Sequence, residues 1–256
     1  MTEISKIAKE SKKVKKLKKT KNIKKKKTIS VQDIFNSESP ECAEFRRVLH
    51  NLDKSKKGGD KQVVLITSAT LSEGKSLTSS FLAMTSASYK NNKTLLIDFD
   101  LRRPTIHRLF GVERTGGISD IILDGLAPQK TVKSTNIDKL DLLTAGKFVD
   151  TTSELIKGPN VHRIIEEMKF YYDTIIVDSP PLVPVMDTVI FIEEFDAILL
   201  VVKAGGTKRE LVSRARNLLA NNSGKLVGVI MNNMKNSLPY HYNHNYYSQN
   251  YKSSEK

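Results

Sequence analysis

Tryptophan is absent from this 256-residue chain, and cysteine occurs once, at Cys42. A single thiol closes no internal disulfide, so the chain must fold on its hydrophobic core, in keeping with a reducing cytosol. Long apolar runs are missing too. The longest, Ala197–Val202, is strand-sized, far short of the ~18–20 residues of a membrane-spanning helix. The N-terminus is basic with no apolar stretch behind it, so no secretory signal is expected. Together these gaps point to a cytoplasmic protein.

Acidic residues are scarce at one end. Residues 1–27 carry thirteen lysines against only Glu3 and Glu10, a balance of +11 out of the chain's net +14, and the other 229 residues hold only +3. The basicity therefore belongs to a tail. A lysine run of this kind repels itself and is expected to be disordered in isolation. Ile4, Ile7, Val14 and Leu17 would form a narrow apolar stripe if the segment became helical. Two readings follow: a solvated tail, or a segment for an anionic membrane surface at the inner face of the cell membrane. Neither arginine nor aromatic residues interleave the lysines, so nucleic acid is not an expected partner.

Hydrophobic residues make up 39% of the chain, enough for one sizeable domain. The pattern divides it into a lysine-rich tail over 1–30, a folded domain over 31–235 and a polar, tyrosine-rich tail over 236–256. A short helix is expected over 41–53, with Phe45, Val48, Leu49 and Leu52 on one side. Continuous apolar runs follow at 63–66, 94–97, 174–177, 197–202 and 226–230. Helical stretches separate them, from Lys75 to Tyr89, near 153–170 and near 208–221. Apolar strands alternating with helices predict an α/β fold: a mostly parallel sheet with helices on both faces.

The first strand runs into Ala69-Thr70-Leu71-Ser72-Glu73-Gly74-Lys75-Ser76, with Leu77 following inside the helix. A strand-loop-helix with glycine and lysine at this spacing is a P-loop. Its backbone N–H groups and helix N-terminus attract phosphate, the lysine reaches the outer phosphates, and the Ser76 hydroxyl ligates magnesium. Two other strands end in carboxylates: Asp98 and Asp100 after Leu95-Leu96-Ile97, and Asp178 after Ile175-Ile176-Val177. Ligands of parallel sheets gather beyond the carboxyl ends of the strands. Asp178 and Asp98 are therefore candidate magnesium partners beside Ser76. Asp98 or Asp100 is a candidate base for an attacking hydroxyl, and Lys75, Asp98, Asp100 and Asp178 form the candidate catalytic set.

A P-loop, a strand ending Asp98-Phe99-Asp100-Leu101-Arg102 and a strand ending Asp178-Ser179-Pro180-Pro181 together resemble the bacterial tyrosine kinases that control capsular and exopolysaccharide synthesis and export. The family's Walker A, A′ and B motifs correspond to Ala69–Ser76, Leu95–Arg102 and Ile175–Asp178. Gly116-Gly117-Ile118-Ser119-Asp120 and Leu142-Leu143-Thr144-Ala145-Gly146 resemble its intervening segments. The resemblance implies ATP and magnesium as cofactors, and transfer of the γ-phosphate to tyrosines of the chain's own C-terminal cluster. It also implies homo-oligomers and a membrane-embedded activator, here a separate protein. Tyr240, Tyr242, Tyr246, Tyr247 and Tyr251 are five of the chain's eight tyrosines and lie among polar neighbours. They are the candidate phosphoacceptors.

Three features depart from the family pattern. Leu71 and Ser72 stand where proline and glycine are common. The oligomerisation motif reads Glu44-Phe45-Arg46-Arg47-Val48-Leu49-His50, with His50 in place of arginine, and the stretch after Gly146 lacks prolines. The rival reading is a P-loop ATPase of the partitioning or positioning class. That class carries a signature lysine where this chain has Thr70, and a tyrosine tail has no role in it. Asn232 and Asn233, at the end of the last strand, suit either a base contact or a turn.

Overall fold

The computed structural model describes residues 30–56, 61–150, 152–156 and 158–234. The lysine-rich tail and the five C-terminal tyrosines lie outside them. In chain order the elements are α1 Val31–Ile34, α2 Pro40–Ser55, β1 Gln62–Ser68, α3 Lys75–Lys90, β2 Thr94–Asp98, α4 Ile106–Phe110, α5 Ile118–Asp124, α6 Pro128–Thr131, β3 Lys133–Ser134, β4 Leu140–Leu143, α7 Thr152–Leu155, α8 Gly158–Lys169, β5 Thr174–Asp178, α9 Asp187–Ile190, β6 Ala197–Lys203, α10 Arg209–Leu218 and β7 Leu226–Asn232.

Seven strands form one sheet in the order β3-β4-β2-β5-β1-β6-β7. All neighbours pair in parallel except β3 with β4. The α/β expectation holds, and the reason is visible in the side chains. Successive residues of a strand point to opposite faces. Val63, Leu65, Leu95, Ile97, Ile175, Val177, Ile198 and Leu200 enter one core. Their neighbours Val64, Ile66, Leu96, Ile176, Leu199 and Val201 enter the other. Val161, Ile164, Ile165 and Met168 of α8 cover the first face, and Leu82, Ala83, Met84 and Ala87 of α3 the second. Burying one such aliphatic side chain contributes about 1.5–3 kcal/mol, so the doubly covered strands carry most of the fold.

Local signals set the helix limits. Ser39 caps α2 by accepting from the Cys42 N–H at 3.2 Å, with Pro40 in the first turn, where its missing N–H costs nothing. Phe45 of α2 stacks on Phe81 of α3 with centroids 5.8 Å apart. The helix expected near 153–170 is divided into α7 and α8, and Pro159 sits in the first turn of α8, where proline belongs. The stretch near 208–221 is α10 followed by a 3₁₀ segment, Ala220–Lys225. β3 and β4 add an edge beyond the strands expected from apolar runs. β7, at the opposite edge, is only partly buried. Among the described residues, no helix is long and apolar enough to cross a membrane.

Candidate active site

Strand order decides which motifs meet. β5 lies between β2 and β1, so the carboxyl ends of all three sit side by side. Asp178 pairs in register with Asp98 on one side and Ile66 on the other. The loop after β1 then delivers Lys75 at the start of α3. Its Nζ lies 2.8 Å from Asp178 Oδ1 and 3.6 Å from Asp100 Oδ2. It also lies 3.3 Å from Ser76 Oγ. Lys75, Ser76, Asp100 and Asp178 thus converge, as their positions in the sequence suggested.

Ser79, one turn beyond Lys75 on α3, donates its hydroxyl to Asp178 Oδ1 at 3.1 Å. Sequence reasoning passed over Ser79, although its spacing of four from Lys75 places it on the same helix face. Asp178 Oδ2 is buried with no hydrogen-bond partner. A buried unpartnered carboxylate oxygen is costly and marks a place where a cation or water belongs.

Asp98 has a different surrounding. It is fully buried. Its Oδ1 accepts from the Asp100 N–H at 3.2 Å, and its Oδ2 from the N–H groups of Thr105 at 3.0 Å and Ile106 at 3.1 Å. The carboxylate organises the loop that carries Asp100 and opens α4. Asp100 is 6% exposed and faces Lys75. Its Oδ1 accepts from the Arg103 N–H at 3.0 Å.

Three carboxylates around one ammonium perturb each other. Burial, followed by the neighbouring Asp178 charge, pushes the Asp98 carboxyl up to about 8, against the pull of Lys75 and the Ile106 amide. Burial also raises Asp178, with Lys75 opposing. Burial by itself would lower the Lys75 pKa, but the charges of Asp178 and Asp100 outweigh it, so the ammonium is held charged.

The phosphate loop turns around Ala69–Leu77, with Ser72 at φ +61° and Gly74 at φ +86°. Only glycine fits at Gly74: a Cβ there would lie 1.9 Å from Asn232 Nδ2. That nitrogen donates to the Glu73 carbonyl at 2.9 Å. Asn232, read from the sequence as either a base contact or a turn former, here supports the loop. Leu71, Ser72, Leu77, Asp100, Arg103, Arg108 and Leu109 line the surrounding cleft of about 390 Å³.

The donor set suits a magnesium nucleotide. Ser76, Asp100 and Asp178 offer hard oxygen ligands, and Asp178 Oδ2 is unpartnered. Among the described residues no group of three or more His, Cys, Asp or Glu is arranged to hold a metal by itself. Magnesium needs no such group, since one or two carboxylates complete its shell with phosphate oxygens and water.

The two further segments singled out from the sequence meet each other. The N–H groups of Ile118 and Ser119 donate to the carbonyls of Thr144 and Ala145, and Asp120 Oδ2 accepts from the N–H groups of Gly117 and Lys147. A Cβ on Gly117 would lie 2.2 Å from the Thr144 carbonyl oxygen. Their role is to anchor α5 beyond β4.

The comparisons with known proteins agree with this geometry. The ParA family model, described as the NUBPL iron-transfer P-loop NTPase, matches residues 60–255. YwqD, a tyrosine-protein kinase of Bacillus subtilis strain 168, is 34% identical over 204 residues, covering 80% of this chain and 85% of YwqD. CapB of Staphylococcus aureus is 33% identical over 222 residues, covering 85% of this chain and 97% of CapB. The crystal structure of the chimerical protein CapA2B2 superposes with a TM-score of 0.72 at 29% identity, covering 78% of this chain and 87% of that one. With a match to the ParA family of P-loop NTPases, aspartates closing two adjacent strands and relatives of this similarity covered over 85% and 97% of their length, the chain belongs to the bacterial tyrosine kinases.

Proposed function

We propose that the chain is an ATP- and magnesium-dependent protein-tyrosine autokinase of capsule or exopolysaccharide synthesis and export. It moves the γ-phosphate of ATP onto Tyr240, Tyr242, Tyr246, Tyr247 and Tyr251 of its own C-terminal cluster. The observation that carries this reading is the convergence of Lys75, Asp100 and Asp178 at the N-terminus of α3, in a chain of this family.

The chemistry follows from charge. The loop amides over Ala69–Leu77 and the α3 N-terminus receive the phosphates. Lys75 exchanges its bond to Asp178 for the β- and γ-phosphate oxygens, which frees the carboxylate. Ser76 and Asp178 would hold magnesium, with Asp100 beside them, and the ion would supply positive charge against the phosphates. A tyrosine Oη attacks the γ-phosphorus, the bond to the ADP oxygen breaks, and the phenolic proton passes to a carboxylate. Asp100 faces the cleft and suits that task. Asp98, committed to three backbone amides, fixes the loop that presents Asp100.

The kinase acts at the inner face of the cell membrane with a membrane-embedded polysaccharide co-polymerase as activator. Residues 1–27 supply an anionic-surface contact. The Glu44–His50 face of α2, where Arg47 and His50 are exposed, is the candidate homo-oligomer contact. Incubating the purified chain with ATP and magnesium, followed by an anti-phosphotyrosine blot, tests the reading. A kinase gives signal that Lys75→Met removes, whereas a positioning ATPase hydrolyses ATP and leaves the blot blank.

A further inference from the structure

Ser72 holds a left-handed backbone at φ +61° in the middle of the phosphate loop. A residue with a Cβ is strained in that region, and such strain persists only where the surroundings over-determine it. Neither Leu71 nor Ser72 has the restricted or permissive backbone of proline or glycine that would preset this turn. The constraint has to come from elsewhere, and Glu73 supplies it.

Glu73 is only 2% exposed, an unusual place for a carboxylate in a loop suited to anions. Its Oε2 accepts from the Thr70 N–H at 2.6 Å, bridging the turn that contains Ser72. Its Oε1 accepts from the Thr207 hydroxyl and from the Lys203 N–H, the latter at 3.4 Å. The Glu73 carbonyl takes the Asn232 amide, in the space that Gly74 leaves open. Asn232 is itself fixed, because its carbonyl accepts from the Ala204 N–H at 2.9 Å. One loop residue is thus tied to the turn after β6 and to the end of β7, two elements that carry none of the residues assigned to transfer.

We propose that Glu73, Thr207 and Asn232 form a positioning brace that holds the strained Ser72 turn in its phosphate-binding shape. Nucleotide affinity in this chain therefore depends on the ends of β6 and β7. The proposal rests on the reading of Ala69–Leu77 as a triphosphate site. A carboxylate only accepts, so it serves donors on both oxygens at once. An amide at position 73 would set an N–H group against a donor on one side. Without the brace the turn relaxes, and reforming it on binding weakens affinity. Glycine at position 72 has no strain to relax, so it should make the brace dispensable.

The test is the Kd of magnesium-ADP by titration calorimetry, with thermal melting as the fold check. The panel is the full chain, Glu73→Gln, Thr207→Val, Thr207→Ser, Ser72→Gly and the double variant Glu73→Gln/Ser72→Gly. Glu73→Gln and Thr207→Val should each bind roughly tenfold more weakly. Thr207→Ser should match the parent, Ser72→Gly should bind as well or better, and the double variant should recover most of the loss. Parental affinity in Glu73→Gln and Thr207→Val would overturn the brace, as would weak binding that Ser72→Gly fails to rescue. If Glu73→Gln does not fold, the contrast of Thr207→Val with Thr207→Ser decides alone. No binding by the parent chain would instead overturn the phosphate-loop reading itself.

Discussion

Asp98 and Asp178 stand directly opposite each other as the last residues of β2 and β5. Both are fully buried, and the ammonium of Lys75 is bonded to Asp178. Burial and the Asp178 charge raise the Asp98 carboxyl, so ionising both carboxylates beside one ammonium is unfavourable unless a second cation arrives with the substrate. The site is therefore sensitive to any change in its charges.

Removing the Asp178 charge should therefore disturb metal use most. Asp178→Asn is expected to slow tyrosine phosphorylation by about 100-fold or more and to raise the magnesium needed for half-maximal rate. Initial rates across a magnesium series check this. A variant with parental rate and parental magnesium dependence would place the metal elsewhere.

Asp100→Asn should separate binding from transfer. The residue faces Lys75 from 3.6 Å, so its loss should leave magnesium-ADP binding within about threefold while transfer falls by roughly 100-fold. Parallel calorimetry and rate measurements decide it, and an equal loss in both would assign Asp100 to nucleotide binding alone.

The Asp98 carboxyl is raised from its ordinary 3.8 to about 8 by burial and the Asp178 charge. A raised acid binds its proton more tightly in the folded state, so its stabilising contribution is complete below about pH 4. It declines as pH rises and is gone above about pH 8. The melting temperature of the nucleotide-free chain, relative to Asp98→Asn, should fall between pH 5 and 8 and level off above. A difference constant from pH 5 to 9 would contradict the raised carboxyl.

Much of this was legible in the sequence, for identifiable reasons. β1, β2, β5 and β6 are buried on both faces and so appear as unbroken apolar runs. Lys75, Ser76, Asp100 and Asp178 could be placed because parallel strands bring their carboxyl ends together. β4 is interrupted by Asp141 and owes its strand character to pairing with β2, while β3 is two residues long. Neither leaves a local pattern. Thr207 and Asn232 act on the phosphate loop from over 130 positions away, a distance that no spacing rule spans. The loop-organising bonds of Asp98 depend on how the chain turns after β2, which the Asp-x-Asp pattern does not specify.

The lysine-rich segment lies outside the described residues, and its test is direct. Each basic residue near an anionic surface contributes roughly 1 kcal/mol, screened within ~10 Å at 0.1 M salt. Deleting residues 1–27 should sharply weaken co-sedimentation with phosphatidylserine-containing vesicles at low salt, with less difference at high salt. Unchanged sedimentation would make the segment a solvated tail.

The claim that the chain is a tyrosine autokinase acting on its own tail is tested most directly by mapping phosphate after incubation with ATP and magnesium. Tyr89 and Tyr171 serve as internal controls, being 64% and 50% exposed on the folded domain. The Tyr172 hydroxyl donates to Asp141 at 2.9 Å and is shielded. Mass spectrometry should find phosphate on Tyr240, Tyr242, Tyr246, Tyr247 and Tyr251, little on Tyr89, Tyr171 or Tyr172, and none anywhere in Lys75→Met. Phosphate confined to the folded-domain tyrosines, equal labelling of Lys75→Met, or ATP consumption with no phosphotyrosine would contradict the account.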